Sequence, residues 1–141
     1  MSRVFFTDRD LGKQFPARLR EAGLRVERHA DHFAPDTPDE VWLPEVGRRG
    51  WIVLTHDERI RYKPNELAAV MRHCVPLLVV QGQAPLPQLA GWFVQTLTRI
   101  EAFVAAHEPP YIAKVQRPTP KELALRNDAP GRVLLWVPAR T

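Results

Sequence analysis

The sequence predicts an α/β protein: a three-layer α/β/α domain around a central, mainly parallel sheet of four or five strands. Three observations carry this expectation. Short apolar runs bounded by turn residues recur along the chain, as in "VFFT" (4–7), "WIVLT" (51–55) and "VPLLVV" (75–80), and runs of that length suit buried strands. Between them lie stretches with apolar residues every three or four positions, the spacing of one helix face. Strands that alternate with helices imply a parallel sheet covered on both faces.

After the first strand, Leu11, Phe15, Leu19 and Ala22 mark a helix, with Pro16 in its first turn and Gly23 just past its end. "LRVERHA" (24–30) alternates like a second strand, and "DHFAPDTP" is turn chemistry. A second helix is expected from Thr37 to about Arg49, with Thr37 as N-cap, Pro38 at N1 and Glu40 at N3 in a capping box. Pro44 is awkward inside it, because proline removes a helical hydrogen bond. The third strand is 51–55. Asn65 is the expected cap of a helix over 66–74, and 75–80 is the fourth strand. Leu86, Leu89, Phe93, Leu97, Ile100 and Val104 form one stripe of a single long helix. "YIAKVQ" (111–116) reads as a fifth strand. The tail from Arg117 is polar until "RVLLWV" (132–137), which is a late strand or a docking segment.

The 141 residues make one domain with a sizeable core. The chain is 45% hydrophobic and 26% charged with a net charge of +4, a mild excess that permits a polyanionic partner without requiring one. One cysteine, Cys74, excludes an intrachain disulfide and points to a reducing compartment; its helical stretch suggests a buried structural thiol. No run approaches the roughly 18 apolar residues of a membrane span, and "MSRVFFTDRD" meets acids too early for a signal peptide. The expectation is a cytoplasmic protein with no membrane partner.

In parallel sheets, sites form at the carboxyl ends of strands. Asp8 and Asp10 follow the first strand, Asp57 follows the third, and Asp39 and Glu40 open the helix leading into the third. Three chemistries use such acids. A haloacid-dehalogenase-like phosphatase needs an acidic pair after a later strand, but the fourth strand ends in "VVQGQ". A receiver domain wants Ser or Thr after the fourth strand and Lys after the fifth. Gln81 and Gly82 occupy the first of these places, and Lys114 lies mid-strand. The third chemistry is phosphodiester hydrolysis by a carboxylate-bound divalent cation, which needs only a few oxygen ligands.

"FFTDRDLGKQFPARLREAGLRV", "DTPDEVWLPEVGRRGWIVLTHDERI" and "PLLVV" together favour the third. The pattern resembles the PIN-like nuclease fold, in particular the compact VapC-type toxins of bacterial toxin–antitoxin systems, over roughly residues 3 to 115. The resemblance implies a nuclease domain over 1–116 and a C-terminal extension over 117–141 that docks on the domain or on a partner. It implies a Mg²⁺- or Mn²⁺-dependent ribonuclease with Asp8, Asp39 and Asp57 as catalytic metal ligands and Thr55 fixing Asp57. It also implies an RNA substrate, a cognate antitoxin and a homodimer. Arg59 stands where many relatives carry a further acid, which bears on the number of metal ions.

Each of these residue types also serves ordinary structural ends. Asp10 reads first as a helix cap and second as a metal ligand, and Glu40 as the capping-box partner before a ligand. Asp39 suits a helix dipole as well as a metal. His29, His32 and His56 read as surface or supporting residues. Trp42, Trp51, Trp92 and Trp136 read as core or interface rather than as base-stacking platforms. Arg59, Arg61 and Lys63 follow the third acid and are candidate contacts to RNA phosphates.

Overall fold

The first strand, β1 (Val4–Thr7), alternates its side chains between two cores: Phe5 packs on one face of the sheet and Phe6 on the other. The same holds along β3 (Ile52–Thr55) and β4 (Pro76–Val80), whose residues are all buried. A sheet covered on both faces makes strands read as unbroken apolar runs, which is why these are visible in the sequence. The computed structural model describes residues 3–138. With β2 (Arg25–Arg28), β5 (Tyr111–Gln116) and β6 (Arg132–Val137) the sheet has six strands in the order β2-β1-β3-β4-β5-β6. The first five are parallel and β6 runs antiparallel to β5.

The architecture is the expected α/β/α sandwich, with one strand more than expected. Helices α1 (Gln14–Glu21), α4 (Leu86–Gln95) and α5 (Leu97–Ala106) supply Phe15, Leu19, Leu89, Phe93 and Ile100 to the Phe5 face. Helices α2 (Asp39–Arg48) and α3 (Pro64–Arg72) supply Trp42, Leu43, Val46 and Val70 to the Phe6 face. From β1 the chain winds outward to β2, then returns to place β3 on the other side of β1. That reversal opens a crevice at the carboxyl ends of β1 and β3.

Several local expectations are corrected. The capping box at Thr37 does not form. Pro38 is the N-cap, extended at φ −60° and ψ 147°, and no side chain caps α2. Thr37 is instead drawn into a turn, its N–H donating to the Ala34 carbonyl at 3.1 Å. Pro44 lies inside α2 without ending it; the carbonyl it leaves free belongs to exposed Glu40 in the first turn. Asn65 is not a cap either, since α3 begins at Pro64, whose fixed φ suits N1. Cys74 is not buried: it is exposed, just past α3, with φ +54°.

The single long helix is two. Thr96 separates α4 from α5, and its buried hydroxyl donates to the Trp92 carbonyl at 2.7 Å. The same oxygen accepts from the Gly131 N–H at 2.8 Å, tying the start of β6 to the helix junction. Arg99 adds a donor to the Gly131 carbonyl at 2.7 Å. No room exists at Gly131 for a side chain, because a Cβ there would lie 1.8 Å from the Gln116 carbonyl oxygen. The segment before β6 also contains α6 (Pro120–Leu125), which does have a capping box: Thr119 accepts from the Glu122 N–H and Glu122 accepts from the Thr119 N–H.

Thr96→Val keeps the shape of the side chain and removes the acceptor of a buried N–H. It is expected to lower unfolding free energy by about 1–3 kcal/mol, the cost of an unsatisfied buried donor. Urea denaturation of the variant beside the parent measures this.

Candidate active site

β1 and β3 end side by side, and the Asp8 N–H donates to the Leu54 carbonyl at 2.9 Å. This bond extends the strand pairing by one residue and fixes where the Asp8 carboxylate emerges. A 3₁₀ turn (Arg9–Leu11) follows and folds Asp10 back toward the end of β3. The hydroxyl of Thr55, wholly buried as the last residue of β3, lies 3.1 Å from Asp8 Oδ2 and 3.1 Å from Asp10 Oδ2. It has one hydrogen, so it donates to one carboxylate at a time. Asp10 accepts further from the His56 N–H at 3.0 Å, and Asp8 from the Arg9 N–H at 2.7 Å.

Asp10 is therefore not the cap of the first helix. The side chain capping the 3₁₀ turn is that of Asp8, and Asp10 is a partner of Asp8 in the crevice. Thr55 does hold Asp57 as expected, and it does more. Its oxygen accepts from the Asp57 N–H at 3.2 Å, and its hydrogen serves Asp8 and Asp10. The Asp-x-Asp spacing after a strand is the sequence signal that joins the pair.

The cleft has a volume of about 220 Å³ and is lined by Asp8, Arg9, Asp10, Thr37, Asp39, Asp57 and Lys63, with His29, Pro35 and Trp42 completing its wall. The three expected ligands, Asp8, Asp39 and Asp57, thus share one cavity. Glu40 does not join them; it faces a separate surface hollow with Asn65, Arg72 and His73. Consecutive residues on a helix diverge by about 100°, so only one of the pair reaches the cleft. Trp42 selects Asp39 by donating from Nε1 to Asp39 Oδ1 at 3.0 Å.

Burial and the neighbouring charge of Asp10 push the Asp8 carboxyl up to about 6, a rise to which Asp39 adds and which the Arg9 N–H and Thr55 oppose. Burial also raises Asp10, against the bonds from His56 and Thr55. Asp57 goes the other way. Burial would raise it, but bonds from Lys63 and the Arg59 N–H outweigh that and hold it below the usual carboxylate range. Lys63 Nζ pairs directly with Asp57 Oδ2, which raises the lysine.

Of the three expected phosphate contacts, only Lys63 lines the cleft. Arg59 is exposed, its backbone N–H on Asp57 Oδ1 at 3.0 Å. Arg61 does not line the cleft; its guanidinium lies over the rings of Trp136 and Tyr62. Arg9 carries no sequence signal of its own, yet it bonds the Pro35 carbonyl and closes one side of the cleft. His29, expected as a surface or supporting residue, is buried instead, packed on Phe6, Phe33 and Trp42, and burial lowers its pKa. His32 pairs with Glu27, and the His56 ring bonds the Val80 carbonyl.

Among the described residues no three His, Cys, Asp or Glu side chains are gathered closely enough to hold a metal ion unaided. The donor chemistry nevertheless fits a hard cation. Mg²⁺ keeps most of its waters and is commonly held by one or two carboxylates together with substrate phosphates. Asp8 and Asp10 are two such carboxylates, converging on one hydroxyl and raised by burial.

A raised acid binds its proton more tightly in the folded chain, so its charge destabilises the fold once pH climbs from the unfolded value through the folded one. For Asp8 that window runs from about 4 to about 6. In EDTA, Asp8→Asn is therefore expected to be more stable than the parent at pH 8, by no more than about 3 kcal/mol, with the gain gone by about pH 3.5. Melting temperatures across that pH range test it.

The family model described as a PIN like domain matches residues 3–82. That span runs from β1 through β4 and holds all four acids of the cleft. No curated protein and no solved structure matches the chain. Domains of this type are commonly nucleases, and the sheet order, the layers and the acidic cleft at the β1/β3 reversal together form a nuclease-type fold. The chain belongs to the PIN-like domain family.

Proposed function

We propose that the cleft is the active site of a divalent-metal-dependent endoribonuclease, and that the protein is the toxin of a toxin–antitoxin pair. The observation that carries this reading is the convergence of Asp8, Asp10, Asp39 and Asp57 on one cavity at the reversal point of a PIN-like sheet. Asp8 and Asp10 would hold Mg²⁺ or Mn²⁺, with Asp39 facing the same space. When bound, the ion supplies an activated water and neutralises charge developing on the phosphate.

The chain's own groups do the rest. Thr55 and the His56 N–H keep two repelling carboxylates in place. Trp42 occupies one oxygen of Asp39 and turns the carboxylate toward the cleft. Lys63 uses one N–H on Asp57, and an ammonium has three. Its remaining donors serve a phosphate oxygen of the substrate. An antitoxin would restrain the protein by covering this opening.

A second reading has one observation in its favour. The Lys63 ammonium already neutralises Asp57, as it would in a PIN-like fold that binds RNA or protein without turnover.

Mn²⁺ titration followed by thermal melting separates the two. The nuclease reading expects a rise in Tm that Asp8→Asn abolishes, together with RNA cleavage that EDTA stops. Cleavage by Asp8→Asn at the parental rate would remove the metal site. Expression without a partner should arrest bacterial growth, and Asp57→Asn should relieve the arrest; normal growth with abundant soluble parent protein supports the binding module.

The two acids that open α2 give a sharper comparison. Asp39→Asn is expected to lower cleavage by about 100-fold or more, as loss of a group acting on the reacting centre typically does. Glu40→Ala should leave both the rate and, within about 0.5 kcal/mol, the stability unchanged, because Glu40 faces away and caps nothing. A large stability loss in Glu40→Ala would mean that the capping box forms in solution.

A further inference from the structure

We propose that Tyr62, braced by Trp136 and Arg61, is a stacking platform for a base of single-stranded RNA at the edge of the carboxylate cleft. The inference deepens the nuclease reading by naming the substrate class, and its test uses binding alone, so that the two can fail separately.

Tyr62 is 69% exposed, an unusual position for so large a ring. It ends a 3₁₀ turn (Ile60–Tyr62) and directly precedes Lys63, which lines the cleft. A lone exposed aromatic needs no explanation. This one is held in place. Its ring meets the edge of Trp136 at 6.1 Å between centroids and 81° between planes. The Arg61 guanidinium lies 5.7 Å from the Tyr62 ring and 5.4 Å from that of Trp136, and Lys114 Nζ lies 4.3 Å from the Trp136 ring. Residues far apart in sequence, on the turn after β3 and on the neighbouring strands β5 and β6, therefore interleave rings and cations in one patch.

The charges decide the occupant. Among the described residues neither Arg61 nor Lys114 pairs with a carboxylate, and Arg59, two residues before Arg61, is exposed. Arg61 and Lys114 are thus two cations set against the two aromatic rings. Ring faces are sequence-tolerant platforms for bases, and flanking cations track the phosphates, which is the physical recipe for a single strand. A duplex hides its base faces in its own stack. Tyr62 directly precedes Lys63, which lines the cleft, so the ring lies one residue from the site. Trp136, expected only as core or interface, takes the part of a brace.

The test is fluorescence anisotropy in EDTA with a labelled oligo(U) and with an abasic oligomer of the same length, using the parent, Tyr62→Ala and Tyr62→Phe. Thermal melting checks that each variant is folded. Loss of one stacked base predicts that Tyr62→Ala binds oligo(U) at least about 5-fold more weakly. Tyr62→Phe should stay within about 2-fold of the parent, since the ring face is kept, and the abasic oligomer should bind parent and Tyr62→Ala alike. Equal affinity of parent and Tyr62→Ala for oligo(U) overturns the proposal and leaves the patch to a protein partner. An equal loss on the abasic oligomer overturns it too, since no base is then being read. Binding that survives where no cleavage is found would uphold the platform and remove only the catalysis.

Discussion

One buried hydroxyl holds the cleft together. Thr55 lies between Asp8 and Asp10, two carboxylates that burial and mutual repulsion both disfavour as ions. Left alone, such a pair would splay apart or take up a proton. The chain resists with donors from three places: the Thr55 hydroxyl, the His56 N–H and the Arg9 N–H. Two of these are backbone groups whose positions follow from where β1 and β3 end. The fold thus stores an electrostatic cost at its carboxyl edge and meets it with a rigid frame. Strained carboxylates of this kind cluster at functional sites rather than serving stability.

The frame is rigid because the sheet behind it is buried on both faces. Phe6 sits in a cluster with His29, Phe33, Trp42 and Trp51 on one face of the sheet, and His29 and Trp42 of this cluster also wall the cleft. Trp42 joins that packing to the site: its ring is core, while its indole N–H holds Asp39. The rotation of α2, and with it the choice of Asp39 over Glu40, is decided by burying Trp42, Leu43 and Val46 against the sheet. Chemistry at the edge is in this sense a by-product of packing beneath it.

How much of this is legible in the sequence depends on how local the cause is. The parallel strands announce themselves as unbroken apolar runs, and the Thr-x-Asp at the end of β3 marks the site. Two four-residue segments show where reading stops. Residues 37–40, Thr-Pro-Asp-Glu, and 119–122, Thr-Pro-Lys-Glu, carry the same capping signature, yet only the second forms the box. At 119–122 Arg132 from β6 also binds the glutamate and reinforces the cap. At 37–40 the Thr37 amide is spent in a turn and Asp39 is drawn to Trp42. The support at 119–122 comes from a strand ten residues away, and at 37–40 the competing partners, Ala34 and Trp42, are local but follow from the turn and from the packing of the Trp42 ring. The break at Thr96 has a distant origin. Its apolar stripe continues through residue 104, and only the Gly131 N–H, 35 residues downstream, reveals why the helix divides there.

Arg59, at the position where the resemblance leads one to expect an acid, is best understood together with Lys63. Arg59 contributes only its backbone N–H to Asp57; the cations that line the cleft are Arg9 on one side and Lys63, six residues after that aspartate. An acid at position 59 would have added negative charge beside Asp57, where a further metal ion could answer it. Here the charge of Asp57 is answered from within the chain, and its carboxyl is held low while those of Asp8 and Asp10 are raised. The cleft is therefore split electrically. One side is a carboxylate pair with no ion-pair partner among the described residues, and the other is a closed ion pair. This split follows from one side chain, and in the proposed nuclease reading the ion belongs with Asp8 and Asp10 while Lys63 supplies the second positive charge.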